Sequence, residues 1–435
     1  MVTEPPQYKP AYAWFVLFMM ILLYLANFID RFLTSGLLEE IKKTFEVSDT
    51  FMGLLVGPAF AILYTVLAIP IARLADRESR IKIIAAGAII WSGFTVMSGL
   101  VTSPWMFAVA RVGVGIGEAA FLAPAFSLLA DYFPPKKRAL AFALLGFGAY
   151  FGQVLGLVGG AAIAEASHWR NAFIYLGAPG IILAVLALMF VREPERGRLD
   201  PDSIGASGNA PPLSLVQTFL ILWRQKSFRL MTLGTAFGGF SSFGFAIWAP
   251  TLFARGFDLS LTEANIRYGL PSFIAGMAGA LILGILCDRL AGKNAAWPFR
   301  LAGGGLAGFF ISMFTLCFVR DVNIATALCF PSGLLAGGWA IAMQSALQDL
   351  LPAKARATGS AIWGFALAFS GLALGVLFVG FISDILSANF GNDAIRVSMA
   401  ITLLPVLPAV ILLFLAGRTV QADRATLLLA LEKWH

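Results

Sequence analysis

The stretch DYFPPKKRA at residues 131–139 recurs as DLLPAKARA at residues 349–357, and five of the nine positions are identical. A second motif, LADR at residues 74–77, recurs as LCDR at residues 286–289. The offset between the copies is nearly the same for both motifs, from Asp131 to Asp349 and from Asp76 to Asp288. Because two unrelated motifs recur in the same order at nearly the same spacing, the sequence predicts a chain built from two related halves.

The composition predicts an all-α membrane protein. The chain has 435 residues, of which 59% are hydrophobic and 13% are charged. A soluble domain cannot bury that much apolar surface, and runs of about 20 apolar residues, long enough to cross a bilayer, recur from end to end. The twelve predicted membrane helices cover residues 12–38, 49–75, 82–101, 104–130, 139–164, 171–191, 228–254, 264–287, 301–319, 323–348, 357–383 and 397–417.

Lysine and arginine are distributed unevenly over the predicted loops. With the N-terminus inside, the cytoplasmic segments hold 22 of these residues and the opposite segments hold 7. Because cytoplasmic loops of membrane proteins carry the positive excess, both termini are predicted to be cytoplasmic. The net charge of +7 then follows from helix orientation, and we expect no nucleic-acid partner.

One extended segment rich in Pro, Gly and Ser, residues 194–214, lies between predicted helices six and seven. This composition is typical of a flexible linker. The predicted organisation is an N-terminal six-helix bundle (residues 1–193), a cytoplasmic linker (194–226) and a C-terminal six-helix bundle (227–435).

The motifs resemble those of the major facilitator transporters. ARLADRESR at residues 72–80 keeps the Leu, the Asp and both arginines of the family's Gly-x-Leu-x-Asp-Arg-x-Gly-Arg motif, but neither glycine. Predicted helix four holds the family's Arg111-x-x-x-Gly115-x-Gly117, and helix five resembles its glycine-rich motif, although Leu157 replaces the usual proline. The resemblance implies two pseudo-symmetric six-helix bundles, a substrate site at the midplane between them, alternating access and a monomer.

A narrower resemblance lies in NFIDR at residues 27–31 and RVGVGIGEA at residues 111–119. These segments resemble the Spinster branch, which implies a transporter of lysophospholipids or sphingosine phosphate. An Asp-Arg pair in the first helix also resembles the organic anion and cation symporters. The Gly-Glu-Ala ending of the second segment is therefore the more specific part.

Away from their ends, the predicted helices of the first half contain four charged residues: Asp30, Arg31, Arg111 and Glu118. A charge at the bilayer centre costs at least about 2.5–3.5 kcal/mol, so such residues persist where they face a cavity or an opposite charge. Counting about 1.5 Å per residue places Asp30 and Arg111 at matching depth and Glu118 about 10 Å deeper. Asp30 and Arg31 point about 100° apart, so we do not expect them to face one partner.

These depths predict an ion pair between Asp30 and Arg111 in one state of the transport cycle, with Arg31 turned aside. Asp30 and Glu118 are the predicted proton-coupling residues, because a carboxylate whose Arg partner is drawn away by substrate can take up a proton. Arg31 and Arg111 are predicted to bind a substrate oxyanion, since a guanidinium suits bidentate binding. Asn27 is assigned to the same substrate site.

The predicted helices of the second half carry no charged residue away from their ends. Predicted helix seven instead holds the aromatic run FGGFSSFGFAIW at residues 237–248. Phe240 and Trp248 are its predicted substrate-binding residues, and Gln344 of helix ten is predicted to hydrogen-bond the substrate. A charged wall opposite an apolar wall suits an amphiphile with an anionic or zwitterionic head group.

The repeated loops after helices two and eight carry the predicted gating residues. Asp76, Arg77 and Arg80 lie in or just after the first loop, and Asp288 and Arg289 lie in the second. Charges at helix ends interact with helix dipoles by about 0.3–2 kcal/mol, which suits a gate that must open in every cycle. In the resembled family, these loops hold the outward-open state.

The sequence thus predicts a secondary active transporter, with no cofactor and with the proton as coupling ion. The predicted substrate is a lysophospholipid or a sphingosine-phosphate-like lipid. The alternative is a proton-coupled symporter of small organic anions such as sugar acids. A membrane enzyme or sensor is disfavoured, because the sequence lacks a metal-binding cluster and a nucleophile–base constellation. The predicted location is a bacterial inner membrane.

Overall fold

The computed structural model describes residues 10–199, 215–291, 293–351 and 353–432. These residues are almost entirely helical, as expected in a bilayer, where no water satisfies the backbone polar groups. Two compact units form within the described residues. Of the described residues, unit 1 holds 10–46 and 59–199, and unit 2 holds 47–58, 215–291, 293–351 and 353–432.

The helices follow the predicted pattern with additional breaks. The first half of the chain contains α1 Pro10–Gly36, α2 Leu38–Phe45, α3 Asp49–Val56, α4 Pro58–Ala75, α5 Arg80–Leu100, α6 Pro104–Glu118, α7 Leu122–Tyr132, α8 Pro135–Val154, α9 Gly160–Ala166 and α10 Trp169–Phe190. The second half contains α11 Leu215–Arg224, α12 Lys226–Phe257, α13 Leu261–Ala291, α14 Trp297–Phe318, α15 Val322–Leu350, α16 Ala353–Ala368, α17 Val376–Phe390, α18 Ala394–Leu403 and α19 Val406–Glu432. A π-helical turn joins α8 to α9 at Leu155–Gly159, and another joins α16 to α17 at Phe369–Gly375.

Eleven segments of the described chain are long and apolar enough to cross a membrane. The last of them, Gly359–Asp423, has 65 residues and is interrupted by a 3₁₀ turn at Gly391–Asp393. It contains most of predicted helix eleven and all of predicted helix twelve. The predicted all-α membrane fold is therefore confirmed.

Predicted helix two is divided into α3 and α4 at Gly57 and Pro58. Proline has no backbone N–H and disfavours helical geometry in the residue before it, and Gly57 accordingly has φ −90° and ψ −101°. The division coincides with a unit boundary, because α3 belongs to unit 2 while the residues from Ala59 onward belong to unit 1. The predicted bundle boundaries did not anticipate that α3, in the first half of the chain, belongs to unit 2.

Predicted helix four is divided into α6 and α7 directly after Glu118. Pro124 explains the break, since it cannot donate to the carbonyl of residue 120 and its ring clashes with that carbonyl in a continuous helix. Phe121 instead donates to the carbonyl oxygen of Glu118 in a tighter turn. Glu118 therefore lies at the C-terminal end of α6.

The helices of each unit pack around their own core. In unit 1, α1 packs against α8 and α10, while α5 packs against α6 and α10. In unit 2, α15 packs against α13 and α14, and α12 packs against α19 and the π turn at Phe369–Gly375. A buried cluster that includes Phe228, Phe299, Trp339 and Trp363 fills the core of unit 2.

Part of the predicted linker is helical. Leu215–Arg224, within the predicted linker of residues 194–226, forms α11. Its amphipathic sequence LVQTFLILWR gives it an apolar face, which a flexible linker lacks. Residues 200–214 lie outside the described residues.

Candidate functional site

The charged residues of unit 1 meet between α1 and α6. Arg31 donates from Nε to Oε2 of Glu118 over 3.1 Å, and its Nη2 lies 2.5 Å from the same oxygen. The side chain of Glu118 is fully buried and that of Arg31 is 13% exposed. Burial of the two charges costs desolvation free energy, which offsets much of their attraction. The stability of the pair therefore depends on its hydrogen-bond geometry.

Three aromatic rings enclose the guanidinium of Arg31. Its central carbon lies 4.9 Å from the ring centre of Phe28, 5.1 Å from that of Phe60 and 4.9 Å from that of Tyr64. Phe60 and Tyr64 are four residues apart on α4, so they share one helix face. Cation–π contacts of this kind stabilise a guanidinium that has lost its water.

The carboxylate of Asp30 is buried without a formed hydrogen bond within the described residues. Thr95, Arg111 and Glu118 are the polar and charged groups that surround it. Arg111 is equally buried, and its Nη1 lies 3.5 Å from the backbone carbonyl oxygen of Asp30 rather than from its carboxylate. A buried carboxylate in this condition needs a proton, water or a new partner.

This structure shows a different pairing from the one predicted for one state of the transport cycle. The structure pairs Arg31, not Arg111, with a carboxylate, and that carboxylate is Glu118 rather than Asp30. The prediction compared the depths of α-carbons and ignored the reach of an arginine side chain, which spans the depth between Arg31 and Glu118. The expected divergence of Asp30 and Arg31 did not turn Arg31 away from the site.

Asn27 lies in the same place. It precedes Arg31 by one helical turn on α1, and its buried side chain lies beside Glu118. The structure thus brings together five predicted site residues of the first half: Asn27, Asp30, Arg31, Arg111 and Glu118. Phe60 and Tyr64 were not among the predicted site residues, although their spacing of four residues was a signal for a shared helix face.

Unit 2 contains an apolar cavity of about 370 Å³. This volume falls within the range of about 300–1,000 Å³ that is usual for small-molecule sites. The ring of Phe240 lines the cavity and lies 5.3 Å from that of Phe378. The lining residues are Thr50, Phe240, Leu374, Leu377, Phe378 and Phe381.

The other two predicted residues of the second half are placed differently. Trp248 is buried, and its Nε1 donates to the carbonyl oxygen of Val376 over 2.9 Å. It therefore supports the packing of α12 against α17 and does not line the cavity. Gln344 is half-buried on α15 and is likewise not among the lining residues.

Arg80, a predicted gating residue, lies in a buried charge cluster of unit 1. Its guanidinium contacts Asp131 at 2.5 Å and Glu193 at 2.6 Å, and it donates to the carbonyl oxygen of Pro194 over 3.1 Å. Gly197 donates its backbone N–H to Asp131 over 2.9 Å. Arg80 thus fastens the segment after α10 to the start of α5, an internal role that the motif did not indicate.

The remaining predicted gating residues lie at the ends of α4 and α13. Asp76, Arg77 and Arg289 are exposed. Asp288 lies in the last turns of α13, and its side chain lies outside the described structure. Their role in a gate stays a prediction.

A second charge cluster, which the sequence analysis did not identify, holds α3 within unit 2. Arg255 makes a bidentate contact with Asp49, with two N–O distances of 2.7 Å, and Ser383 donates to the same carboxylate. Asp384 accepts the backbone N–H groups of Asp49 and Thr50 over 3.0 and 2.7 Å. Asp49 begins α3, and Arg255 lies in the last turn of α12.

Comparisons with known proteins agree with this architecture. Residues 20–376 match the model of the Major Facilitator Superfamily. The chain is 31% identical over 393 residues to an MFS-type efflux pump of Mycolicibacterium smegmatis, with 89% of each protein covered. It is 26% identical over 387 residues to the sphingosine-1-phosphate transporter SPNS2 of Danio rerio, covering 85% of this chain and 76% of the relative.

Among solved structures, the chain is similar to a bacterial homolog of the human lysosomal transporter Spinster, in an inward-facing and unoccupied conformation. The TM-score is 0.84 at 29% identity, with 96% of this chain and 99% of that chain covered. The predictions of a transporter rather than an enzyme and of a Spinster resemblance are confirmed. The chain belongs to the Major Facilitator Superfamily as an integral membrane transporter of the Spinster branch.

Proposed function

We propose that the protein is a proton-coupled transporter of an amphiphilic lipid with an anionic or zwitterionic head group, such as a lysophospholipid or a sphingosine-phosphate-like molecule. The observation that carries the proposal is the buried Arg31–Glu118 ion pair beside the Asp30 carboxylate, which has no hydrogen-bond partner among the described residues. A substrate phosphate can compete for Arg31, because guanidinium binds phosphate and carboxylate by the same bidentate geometry. Glu118 would then be left buried and unpaired, and uptake of a proton would neutralise it.

The division of chemistry between the units favours a lipid over a small polar solute. Unit 1 supplies the buried charges for a head group, whereas the cavity of unit 2 is lined by phenylalanine and leucine side chains apart from Thr50. A sugar acid has no apolar chain that could pack against such a lining. The Danio rerio relative is a sphingosine-1-phosphate transporter, which supports the same substrate class.

The similarity to an efflux pump favours a second candidate, proton-coupled export of a hydrophobic compound. Both candidates use the same charges of unit 1, since exchange of a proton for substrate and transport with a proton need the same carboxylate. They differ in the direction of the proton gradient that drives net flux.

The test is uptake into liposomes that contain the purified protein. Lysophosphatidylcholine and sphingosine phosphate are compared with a hexuronate, with the pH gradient applied in either orientation or absent. We expect gradient-dependent flux of a lipid and none of the hexuronate. Flux of the hexuronate alone would favour the small-anion symporter instead.

The Glu118→Gln variant tests the coupling step. The amide keeps the size of the carboxylate and can still accept a hydrogen bond from Arg31, but it cannot take up the proton. We expect gradient-driven lipid flux to fall to the level of empty liposomes while exchange of lipid across the membrane without a gradient persists. Undiminished gradient-driven uptake by this variant would exclude Glu118 as the proton carrier.

A further inference from the structure

The two π-helical turns occupy equivalent places in the duplicated chain. The first covers Leu155–Gly159 in unit 1 and the second covers Phe369–Gly375 in unit 2. Gly156 and Gly371 are separated by the same offset as Gly160 and Gly375. This offset is intermediate between those of the two repeated loop motifs, so the turns are a matched pair.

In unit 1, the turn presses directly on the backbone that carries the charged site. A Cβ added at Gly156 would lie 2.6 Å from the carbonyl oxygen of Ile29 and 3.1 Å from the backbone nitrogen of Leu33. Ile29 precedes Asp30 and Arg31. Only glycine permits this approach of two backbones, and Gly152 of α8, one turn earlier, lies equally close to the carbonyl oxygen of Leu25.

In unit 2, the corresponding turn presses on α12 in the same way. A Cβ added at Gly371 would lie 2.9 Å from the carbonyl oxygen of Gly239 and 2.5 Å from Cδ2 of Phe243. Gly239 and Phe243 are four residues apart, as are Ile29 and Leu33. Gly239 therefore corresponds to Ile29, and Phe240 corresponds to Asp30.

We infer that Gly156 and Gly371 are positioning residues, Gly156 for the charged residues of unit 1 and Gly371 for the apolar cavity of unit 2, an inference that rests on the proposed function. Gly156 sets the backbone from which Asp30 and Arg31 reach the head group. Gly371 sets the backbone from which Phe240 reaches the apolar chain. The same packing device thus holds a charged pair in one unit and an aromatic ring in the other.

The mechanism is displacement of one helix relative to its neighbours. A methyl group at Gly156 must push the backbone of α1 away from the π turn, since the nearest atom is a carbonyl oxygen and not a movable side chain. Glu118 lies on α6, so the displacement changes the Arg31–Glu118 contact. A displacement of about 1 Å at a binding group is enough to change rates by orders of magnitude.

The experiment compares Gly156→Ala and Gly371→Ala with two matched controls, Gly159→Ala and Gly364→Ala. A Cβ at either control position meets no atom within 4 Å, so the same chemical change displaces nothing. Each variant is measured in liposomes for the pH dependence of lysophosphatidylcholine uptake. The second readout is the ratio of uptake rates for a long-chain and a short-chain lysophosphatidylcholine.

We expect Gly156→Ala to move the midpoint of the pH profile by about half a unit or more and to leave the chain-length ratio unchanged. Gly371→Ala should lower the chain-length ratio about fourfold, equivalent to the loss of one buried methylene, and leave the pH profile unchanged. The controls should match the original protein in both readouts.

Two milder variants guard against a failure to fold. At Gly160 the nearest atom to an added Cβ is Cδ1 of Leu33, and at Gly239 it is Cδ1 of Leu367; both are ends of flexible side chains. Gly160→Ala and Gly239→Ala should therefore reproduce the two separate effects in the same directions with smaller amplitude.

Equal effects of both variants on both readouts would overturn the inference, and so would controls that behave like the test variants. If Gly156→Ala does not fold, a Gly160→Ala protein with an unchanged pH profile would overturn the inference as well. A complete lack of lysophosphatidylcholine uptake by the original protein would instead contradict the proposed function, and the inference would fall with it.

Discussion

At the scale of single residues, the Arg31–Glu118 pair is the feature whose energy can be measured directly. Removal of one partner from a buried ion pair typically destabilises a protein by about 3–5 kcal/mol, because the other charge is left uncompensated. We expect Arg31→Gln and Glu118→Gln each to lower the free energy of unfolding. The loss in the double variant should be smaller than the sum of the two single losses. Thermal unfolding in detergent micelles should give a coupling energy of about 1–3 kcal/mol.

The exposed pair of Lys43 and Glu40 is the control for this cycle. Its N–O distance is 3.1 Å, but its side chains are 68% and 41% exposed. Pairs of this kind contribute about 0.2–1 kcal/mol, so the same cycle of glutamine substitutions should give little coupling. Coupling energies of similar size for the two pairs would contradict the dry environment of Arg31 and Glu118.

Phe240 and Trp248 were predicted to act alike, and the structure separates them. Phe240 lines the apolar cavity, so Phe240→Ala should reduce transport of long-chain lipids more than that of short-chain lipids. Trp248 packs within unit 2 and hydrogen-bonds Val376, so Trp248→Ala should lower the melting temperature without a chain-length effect. Uptake assays with both chain lengths, paired with melting curves, distinguish the two roles.

At the scale of elements, the Arg80 cluster fastens the segment after α10 to the N-terminus of α5. Ile81 donates its backbone N–H to Glu193 over 3.1 Å, and Gly197 donates to Asp131 over 2.9 Å. Arg80→Gln removes the charge that holds both carboxylates in place. Hydrogen exchange of peptides that contain Ile81 and Gly197 should therefore become faster.

Lys82 provides the comparison for this experiment, because it is exposed two residues further along the same helix. Lys82→Gln should leave the exchange of both peptides at its original rate. Slow exchange of these peptides in the Arg80→Gln protein would mean that the segment is held by other contacts, such as those of Arg196 with the carbonyl oxygens of Ala75 and Glu78.

The breaks within helices mark the limit of sequence-based prediction at this scale. Apolar runs predicted the membrane helices, because burial in lipid demands a continuous hydrophobic segment. Pro58 and Pro124 offered a signal for the breaks, but a proline within a long apolar helix often only kinks it. The break after Glu118 and the reach of Arg31 together produced the pairing that depth counting missed.

At the scale of the whole molecule, the duplicated motifs predicted the two-bundle organisation, and the family match confirms the fold. The sequence also singled out the five polar or charged residues that lie together in unit 1, because each is in an apolar segment where a polar side chain is costly; their role in transport stays a prediction. The hydrogen-bond or ion-pair partner of each residue was not predictable, because it depends on how far the side chains reach. The attachment of α3 to unit 2 has no periodic or compositional signal.

This attachment predicts how separated halves behave. A polypeptide of residues 210–435 lacks α3 and therefore lacks the contacts of Asp49 with Arg255 and of Thr50 with Asp384. Expressed alone, it should melt at a lower temperature or aggregate, whereas co-expression with residues 1–209 should restore the folded complex. Size-exclusion chromatography with melting curves is the measurement.

The specificity of this rescue rests on Asp49. A first polypeptide that carries Asp49→Lys should fail to rescue the second, because two cations would face each other at Arg255. Lys43→Glu, at an exposed position, should rescue as well as the original sequence. Equal rescue by both variants, or a stable second polypeptide without any partner, would contradict the role of α3.

The position of α3 also orders the events of biosynthesis. This helix leaves the ribosome long before α12, since α4 to α11 lie between them in the chain. It nevertheless packs in unit 2 with α12 and the helices that follow. The C-terminal half therefore assembles on a piece that is already in the membrane. Expression of the two halves from separate genes would therefore have to preserve the docking of α3 into the C-terminal half.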